Sequence, residues 1–242
     1  MTCTNCQFEF EGKYCPECGQ KADTRRITWA MVLQDLVSGI TNVERGFWYN
    51  LKALTLRPGA EIESYLQGRW KTFYHPLKYA LVSITLMTIL ANLYFMTSDI
   101  SAATEFAKET PVVSKGYQLG YDYGRFLKSN QKFLWIANIL FFSFPFALFV
   151  RRYSFAEWLT INAFILGHSA FLYCLIFWIY PVRFLVNPIL YGLLLLYYTI
   201  FLHRHESLVM SLLIAFLSLA FGMVLFIGLP MAGTWIYQSL SG

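Results

Sequence analysis

Residues 77–96 have the sequence LKYALVSITLMTILANLYFM, with one charged residue, Lys78, near the start. An apolar helix of this length extends about 30 Å, which matches the hydrocarbon thickness of a bilayer. Four more apolar runs follow, at 133–150, 155–180, 184–202 and 207–237. Each is expected to be a helix, because a helix satisfies its own backbone hydrogen bonds in lipid. The sequence therefore predicts an all-α membrane protein with a bundle of five transmembrane helices over residues 77–242.

The composition supports the same class. Of the 242 residues, 57% are hydrophobic and 14% are charged, whereas a soluble domain has about 45–50% apolar and about 25% charged residues. Intrinsic disorder is excluded, since it needs low hydrophobicity and high net charge. Residues 1–78 hold ten of the Lys and Arg residues and eight of the Asp and Glu residues. That balance is too even for a nucleic-acid surface, so no nucleic-acid partner is expected.

The short loops between the runs predict the orientation. Arg151 and Arg152 follow the second run and Arg204 follows the fourth, whereas the loop after the third run holds a single Arg. By the positive-inside rule, these loops and the N-terminus are expected in the cytoplasm and the C-terminus outside. The fifth run is longer than one crossing needs, and Gly228, Pro230 and Gly233 are expected to break it near its end. Re-entry of this helix, in place of a full crossing, is the alternative.

Two cysteine pairs with CxxC spacing lie near the N-terminus, Cys3 with Cys6 and Cys15 with Cys18. Four thiolates at this spacing suit tetrahedral Zn²⁺, and a closed set of four sulfurs leaves no position for water. We therefore expect residues 1–26 to form a zinc ribbon whose structural metal drives its folding. Two disulfides, a redox pair and an iron–sulfur site are the alternatives. A reducing cytoplasm disfavours the disulfides, and the absence of a βαβ pattern disfavours a thioredoxin-like redox pair. The spacing is not that of a ferredoxin, which disfavours an iron–sulfur site.

Residues 27–76 form a third region, in which aromatic residues alternate with Lys and Arg. That mixture is typical of the headgroup layer, so we interpret the region as an amphipathic elbow on the cytoplasmic side. The dipeptide Pro58-Gly59 is expected to end one short helix and start another. Arg57, Arg69 and Lys71 are candidates for a lipid headgroup site. A small helical domain that packs on the zinc module is the alternative interpretation.

The third apolar run carries two ionisable residues, Glu157 and His168. Eleven helical steps bring them to one face, about 16 Å apart along the axis. Ionisable groups within a membrane are costly, and a proton or cation path along this face is one hypothesis. The simpler hypothesis leaves His168 neutral and bonded to backbone or to Asn138, with Glu157 paired to Arg151 or Arg152.

The N-terminal third of the chain resembles a bacterial multi-pass membrane family known as domain of unknown function 3667. The resemblance covers roughly residues 1–90 and rests on the cysteine ribbon with YCPECGQK and on a set of short motifs. These are Gly46-Phe47, Arg57-Pro58-Gly59, Gly68-Arg69, Tyr74 and Pro76. The resemblance implies a bacterial inner-membrane protein with zinc and supplies no reaction. His75 departs from the family pattern, which argues against a catalytic role for it.

Three classes of function follow from these observations. The first is a non-enzymatic scaffold, or a protein that docks a protein partner through the ribbon. The second is a transporter or channel that uses the Glu157 and His168 face. The third is a lipid-handling enzyme at the Arg57–His75 part of the elbow. No hydrolase, metalloprotease, nucleotide or dinucleotide fingerprint occurs, so an enzyme is the less favoured class. The lipid bilayer is the expected partner, and a homo-oligomer is a further expectation.

Overall fold

The structure, a computed structural model, describes residues 1–22, 43–98, 130–179 and 187–241. Within these ranges the chain is helical apart from turns and two isolated antiparallel bridges near the N-terminus. The helices are α1 (Val43–Leu56), α2 (Pro58–Leu66), α3 (Pro76–Ser98), α4 (Gln131–Phe149), α5 (Phe155–Ile176), α6 (Pro188–Leu202) and α7 (Leu208–Ser241). This confirms the all-α class for the described residues. Residues 23–26 of the predicted ribbon and 27–42 of the predicted elbow lie outside them.

The prediction of five transmembrane helices is wrong for the described residues, where three helices are long and apolar enough to cross a membrane. They are Pro76–Tyr94, Phe155–Ile176 and Leu208–Gly228. The second and fourth predicted spans are shorter apolar helices, Phe133–Phe149 and Pro188–Leu202.

The short length of α6 has a local cause. The Asn187 side chain accepts hydrogen bonds from the N–H groups of Ile189 and Leu190, and Pro188 occupies the first helical position. This cap fixes the start of the helix four residues after the predicted start at 184. A helix of 15 residues extends about 22 Å, less than the hydrocarbon thickness.

The long last helix does not break where the sequence suggested. α7 continues from Leu208 to Ser241, through Gly228 and Pro230. One proline removes one N–H donor, and the helix on both sides retains the rest of its hydrogen bonds.

α5 is the central helix of the bundle, and all of its residues from 156 to 170 are buried. It approaches α3 closely, since a Cβ added at Gly167 would lie 2.7 Å from the Cα of Ala80. On another side, Phe146 of α4 stacks on Trp158 with ring centroids 4.9 Å apart. Because its neighbours cover this whole stretch, α5 packs against protein rather than lipid there.

The elbow, taken here as residues 43–75, packs beside α5. The ring of Phe47 in α1 contacts Phe171 at 5.7 Å, and Tyr65 in α2 contacts Phe164 at 5.1 Å. Both phenylalanines lie well inside α5, far from its first turn. The elbow therefore forms part of the wall around the central helix, and its position depends on α5.

Candidate metal centre and buried polar sites

The ribbon, residues 1–22 as described, consists of two turns with the same hydrogen-bond pattern, shifted by twelve residues. The N–H of Cys3 donates to the carbonyl of Phe8 (2.9 Å), and the N–H of Gln7 donates back to the carbonyl of Cys3 (3.0 Å). In the second turn Cys15 donates to the carbonyl five residues ahead, and Gly19 donates back to Cys15, both at 2.8 Å. Backbone φ is positive at the matching positions, 64° at Gln7 and 71° at Gly19. The ribbon is thus an internal repeat, with glycine at the left-handed position of only its second copy.

The four cysteine sulfurs form a compact cluster. Cys3 Sγ lies 3.6 Å from Cys18 Sγ, Cys6 Sγ lies 3.6 Å from Cys15 Sγ, and all four lie within 4.8 Å of one another. The sulfurs are not bonded to each other. Around a tetrahedral Zn²⁺ with bonds of about 2.3 Å, the sulfurs would be about 3.8 Å apart. The cluster therefore has the size and the donor set of a four-thiolate metal site.

The electrostatics of the cluster favour a bound cation. Burial raises the pKa of Cys3, but the backbone N–H groups of Cys6 and Asn5 outweigh burial and hold that pKa at about 7. The pKa of Cys6 is raised to about 12, because desolvation and the other three sulfurs outweigh a hydrogen bond from the Phe8 backbone. The negative charge of one thiolate thus makes it harder for the neighbouring thiols to lose their protons. A cation at the centre removes that opposition, since it attracts every thiolate.

The ribbon is docked on the connection between α2 and α3, residues 67–75. Three hydrogen bonds join them: Lys71 N–H to Gln20 Oε1 (3.1 Å), Thr72 Oγ1 to Asn5 Oδ1 (2.6 Å) and Thr4 Oγ1 to Gly68 O (3.4 Å). Gly68 has a φ of 104°, which a residue with a Cβ rarely adopts, and this lets the chain turn directly after α2. Both ribbon turns contribute a contact, so the ribbon lies against the connection that leads into α3, the first of the candidate spans in the described residues.

The predicted headgroup residues lie in different surroundings. Arg69 is close to Glu61, with Nη1 4.0 Å from Oε2, and Tyr49 OH donates to the same carboxylate oxygen at 3.0 Å. Lys71 is exposed, and its side chain lies beside the second ribbon turn. Arg57 is exposed between α1 and α2. The structure does not bring these three cations together as one site.

The second acidic residue of α2 joins the elbow to the turn between α6 and α7. Glu63 accepts from Arg204 Nε at 3.0 Å and lies 3.1 Å from His205 Nε2. His205 Nε2 is also 3.1 Å from Tyr153 OH. This contact was not predicted from local patterns, because Glu63 and Arg204 are 141 residues apart. This cluster ties the elbow to the turn between α6 and α7 and to Tyr153, just before α5.

His168 is fully buried at the meeting point of four helices. Its Nδ1 lies 2.9 Å from Tyr79 OH of α3, and its Nε2 lies 3.1 Å from Tyr197 OH of α6 and 3.3 Å from Thr55 Oγ1 of α1. The only proton of Thr55 Oγ1 is donated to the carbonyl of Leu51. Thr55 therefore accepts from Nε2–H, which leaves Nδ1 to accept from Tyr79. The hydroxyl groups can satisfy a neutral imidazole, and they stand in the place of the backbone or Asn138 partners that the simpler sequence hypothesis named.

Glu157 and Asn138 do not join His168. Glu157 closes a capping box at the start of α5: its carboxylate accepts from the N–H of Ser154 at 2.6 Å, and Ser154 Oγ accepts from the N–H of Glu157. Asn138 is buried in α4, and neither of its side-chain polar atoms has a hydrogen-bond partner in the described structure.

A second buried polar group lies around Asn162 of α5. Asn162 Nδ2 donates to Ser143 Oγ of α4 at 2.7 Å, and Tyr198 OH of α6 donates to Asn162 Oδ1 at 2.6 Å. All three side chains are buried. The group joins α4, α5 and α6 at one level, which is the usual use of amides between apolar helices.

These features define a class: a helical protein with candidate membrane spans, preceded by a docked cluster of four cysteines. Residues 44–88 match the model of a family described as a protein of unknown function (DUF3667). This confirms the resemblance inferred from the sequence. Comparison with curated proteins and with solved structures finds no match.

The motif residues in the matched segment serve close packing of the elbow. A Cβ added at Gly46 would lie 2.9 Å from the backbone N of Tyr74, and one added at Gly59 would lie 2.6 Å from Cδ of Arg204. Asn50 and Tyr74 exchange two hydrogen bonds, at 2.8 Å and 3.2 Å. The glycines thus allow contacts that any side chain would block.

Proposed function

We propose that the protein is a non-enzymatic membrane scaffold whose ribbon binds one structural Zn²⁺ ion and thereby fixes the elbow against the helical bundle. The observation that carries the proposal is the docking of both ribbon turns on residues 67–75, immediately before α3. In this proposal the protein lies in a bacterial inner membrane with its N-terminus in the cytoplasm. The positive charges of the Arg151–Arg152 and Arg204 turns support that orientation.

Zinc is the metal that best suits the donor set. Four thiolates without nitrogen or oxygen ligands favour Zn²⁺ or iron, and the separations of 3.6 Å suit the tetrahedral Zn–S distance. With four protein ligands the ion has no open position, so its role is to hold the turns together. The ribbon has only a small apolar cluster, which includes Cys3, Phe10 and Cys15. Metal binding therefore supplies most of its folding free energy.

The ribbon also offers a surface for a protein partner. Phe8 and Tyr14 are exposed, with 43% and 62% of their surfaces accessible. Phe8 occupies the position in the first turn that Gln20 occupies in the second, where Gln20 contacts the elbow. Phe8, the counterpart of Gln20 in the first turn, is thus exposed for contact with a partner protein or a second copy of this chain.

The contacts of the candidate residues favour a scaffold over the other two classes. A transport path along α5 needs Glu157 as a carrier of charge, yet its carboxylate caps the helix. A lipid-handling enzyme at the elbow needs Arg69 and Lys71, yet these residues lie against Glu61 and the ribbon. His75 is a poor acid or base at neutral pH, because burial and the charge of Lys78 lower its pKa to about 4.

Hydrogen exchange at the Lys71 amide tests the proposal, because this N–H donates directly to Gln20 of the ribbon. We expect purified wild-type protein to contain about one zinc per chain and Cys15→Ser to contain none. Exchange at Lys71 should be faster in Cys15→Ser and in Gln20→Ala, by about 2- to 12-fold for one hydrogen bond. Gln20→Ala should keep its zinc. The matched control is Glu17→Gln, an exposed position in the same turn, which should change neither zinc nor exchange.

The outcomes separate the two parts of the proposal. Loss of zinc with unchanged exchange at Lys71 would show that the ion does not position the elbow. Iron, or no metal, in the wild type would overturn the zinc assignment. Transport of ions or protons in liposomes by the wild type and not by His168→Leu would replace the scaffold by the second class.

A further inference from the structure

The outer face of α1 carries a stripe of exposed side chains with mixed character. Trp48 and Leu56 are 64% and 68% exposed, and Lys52 lies between them, exposed at the same helical spacing. Arg57 is exposed directly after the helix. The inner face is apolar, with Leu54 only 1% exposed. An exposed stripe of aromatic, cationic and aliphatic residues is typical of a helix that lies in the headgroup layer of a membrane.

The cations of this stripe are not neutralised within the described chain. Neither Lys52 nor Arg57 has an ion pair with any described residue. The acidic residues of the adjoining helix are engaged elsewhere, Glu61 by Tyr49 and Glu63 by Arg204. The stripe therefore presents net positive charge beside two large apolar side chains.

The stripe lies at the height where the first candidate span begins. Phe47 is next to Trp48, with their rings 5.9 Å apart, and Phe47 also contacts Tyr79 in the first turn of α3. Beyond that turn, α3 exposes an apolar row along one face, formed by Val82, Leu86, Ile89 and Leu93. This row is the lipid-facing side of the span, so α1 lies at its interfacial end.

We propose that the outer face of α1 is a binding surface for anionic phospholipids. Lys52 and Arg57 bind the phosphate groups, and Trp48 and Leu56 enter the boundary between headgroups and acyl chains. Of the three headgroup candidates chosen from the sequence, only Arg57 belongs to this surface. The inference does not require zinc, because Phe47 of α1 contacts the bundle directly, at Tyr79 and Phe171.

Lipid titration of the full chain in detergent tests the cationic part. We expect phosphatidylglycerol to bind more tightly than phosphatidylcholine, as measured by native mass spectrometry. In the double variant Lys52→Gln, Arg57→Gln the affinity for phosphatidylglycerol should fall about 30-fold, with phosphatidylcholine unchanged. The matched control is Arg151→Gln, Arg152→Gln, an exposed pair in another turn, which should keep the affinity within about twofold.

Fluorescence tests the apolar part. In nanodiscs with brominated phosphatidylglycerol, the quenching lost in Trp48→Phe measures the contact of this one ring with acyl chains. Lack of a Trp48 component would overturn the inference. Equal binding of the two lipids, an equal loss in the control pair, or displacement by inorganic phosphate at the same concentration would also overturn it. An unchanged melting temperature of each variant shows that folding is not the cause.

Discussion

Replacing Gly167 by alanine has two effects on the stability of the protein, and they have opposite signs. Alanine in a helix interior is favoured over glycine by about 1 kcal/mol. At Gly167, however, the new Cβ would lie 2.7 Å from the Cα and 3.0 Å from the N of Ala80. A relaxed contact needs about 3.5–4.0 Å, so α3 must move away by roughly 1 Å. Overpacking of this kind costs about 1–3 kcal/mol, and the shift also stretches the neighbouring bond from Tyr79 to His168. We expect a net destabilisation of about 1 kcal/mol.

Gly192→Ala provides the matched control, since Gly192 lies inside α6 and a Cβ there meets nothing within 4 Å. It should stabilise the protein by up to about 1 kcal/mol. Unfolding in mixed micelles with increasing dodecyl sulfate measures both variants against the wild type. Two changes of opposite sign support the packing described for α3 and α5. Equal stabilisation by both substitutions would refute the reasoning, because the contact at Gly167 would then not be close.

Three further changes have defined outcomes. Gln7→Gly removes the backbone strain of a positive φ in the first ribbon turn, and Gly19→Ala introduces that strain in the second turn. Zinc affinity, measured in competition with a chelator, should therefore rise a few-fold in Gln7→Gly and fall in Gly19→Ala. A lower affinity in Gln7→Gly would contradict the equivalence of the two turns. Tyr79→Phe leaves Nδ1 of His168 without its partner and should cost about 1–3 kcal/mol of stability in the same micelle assay; no loss would contradict this buried hydrogen bond. Burial lowers the pKa of His75 from 6.5 to about 4, so the unfolded state takes up a proton first and stability should decrease from pH 6.5 towards pH 4. His75→Gln should flatten that decrease, as followed by melting temperature against pH.

The cysteine cluster was predictable because its ligands are close in sequence. Two CxxC pairs within residues 3–18 favour a shared metal, and the structure places their sulfurs within 4.8 Å of one another. The break between α1 and α2 was predictable for a similar reason, because Pro58 restricts the backbone of the residue before it. Both predictions depend on local chemistry.

The partners of His168 and Glu63 were not predictable, since they are brought together by packing over long distances along the chain. His168 meets Tyr79 from 89 residues earlier. The number of spans was overestimated because hydropathy measures how apolar a run is and not where a cap ends the helix, as at Asn187. Hydropathy also does not distinguish lipid from protein as the apolar neighbour, which is why the enclosure of α5 was not foreseen.

The order of synthesis gives the docked elbow a further consequence. The ribbon closes through contacts within residues 1–22, so it can form soon after it leaves the ribosome. The elbow emerges later, but two of its hydrogen bonds cannot form at that stage. Thr55 bonds to His168, which is synthesised 113 residues later, and Glu63 bonds to Arg204, 141 residues later. Until then, the apolar cluster that contains Leu54 lacks its members from α5 and α6. During that interval the nascent chain carries a ribbon with all its own contacts beside an elbow that lacks some of its partners, and such incompletely packed apolar surface is exposed to aggregation.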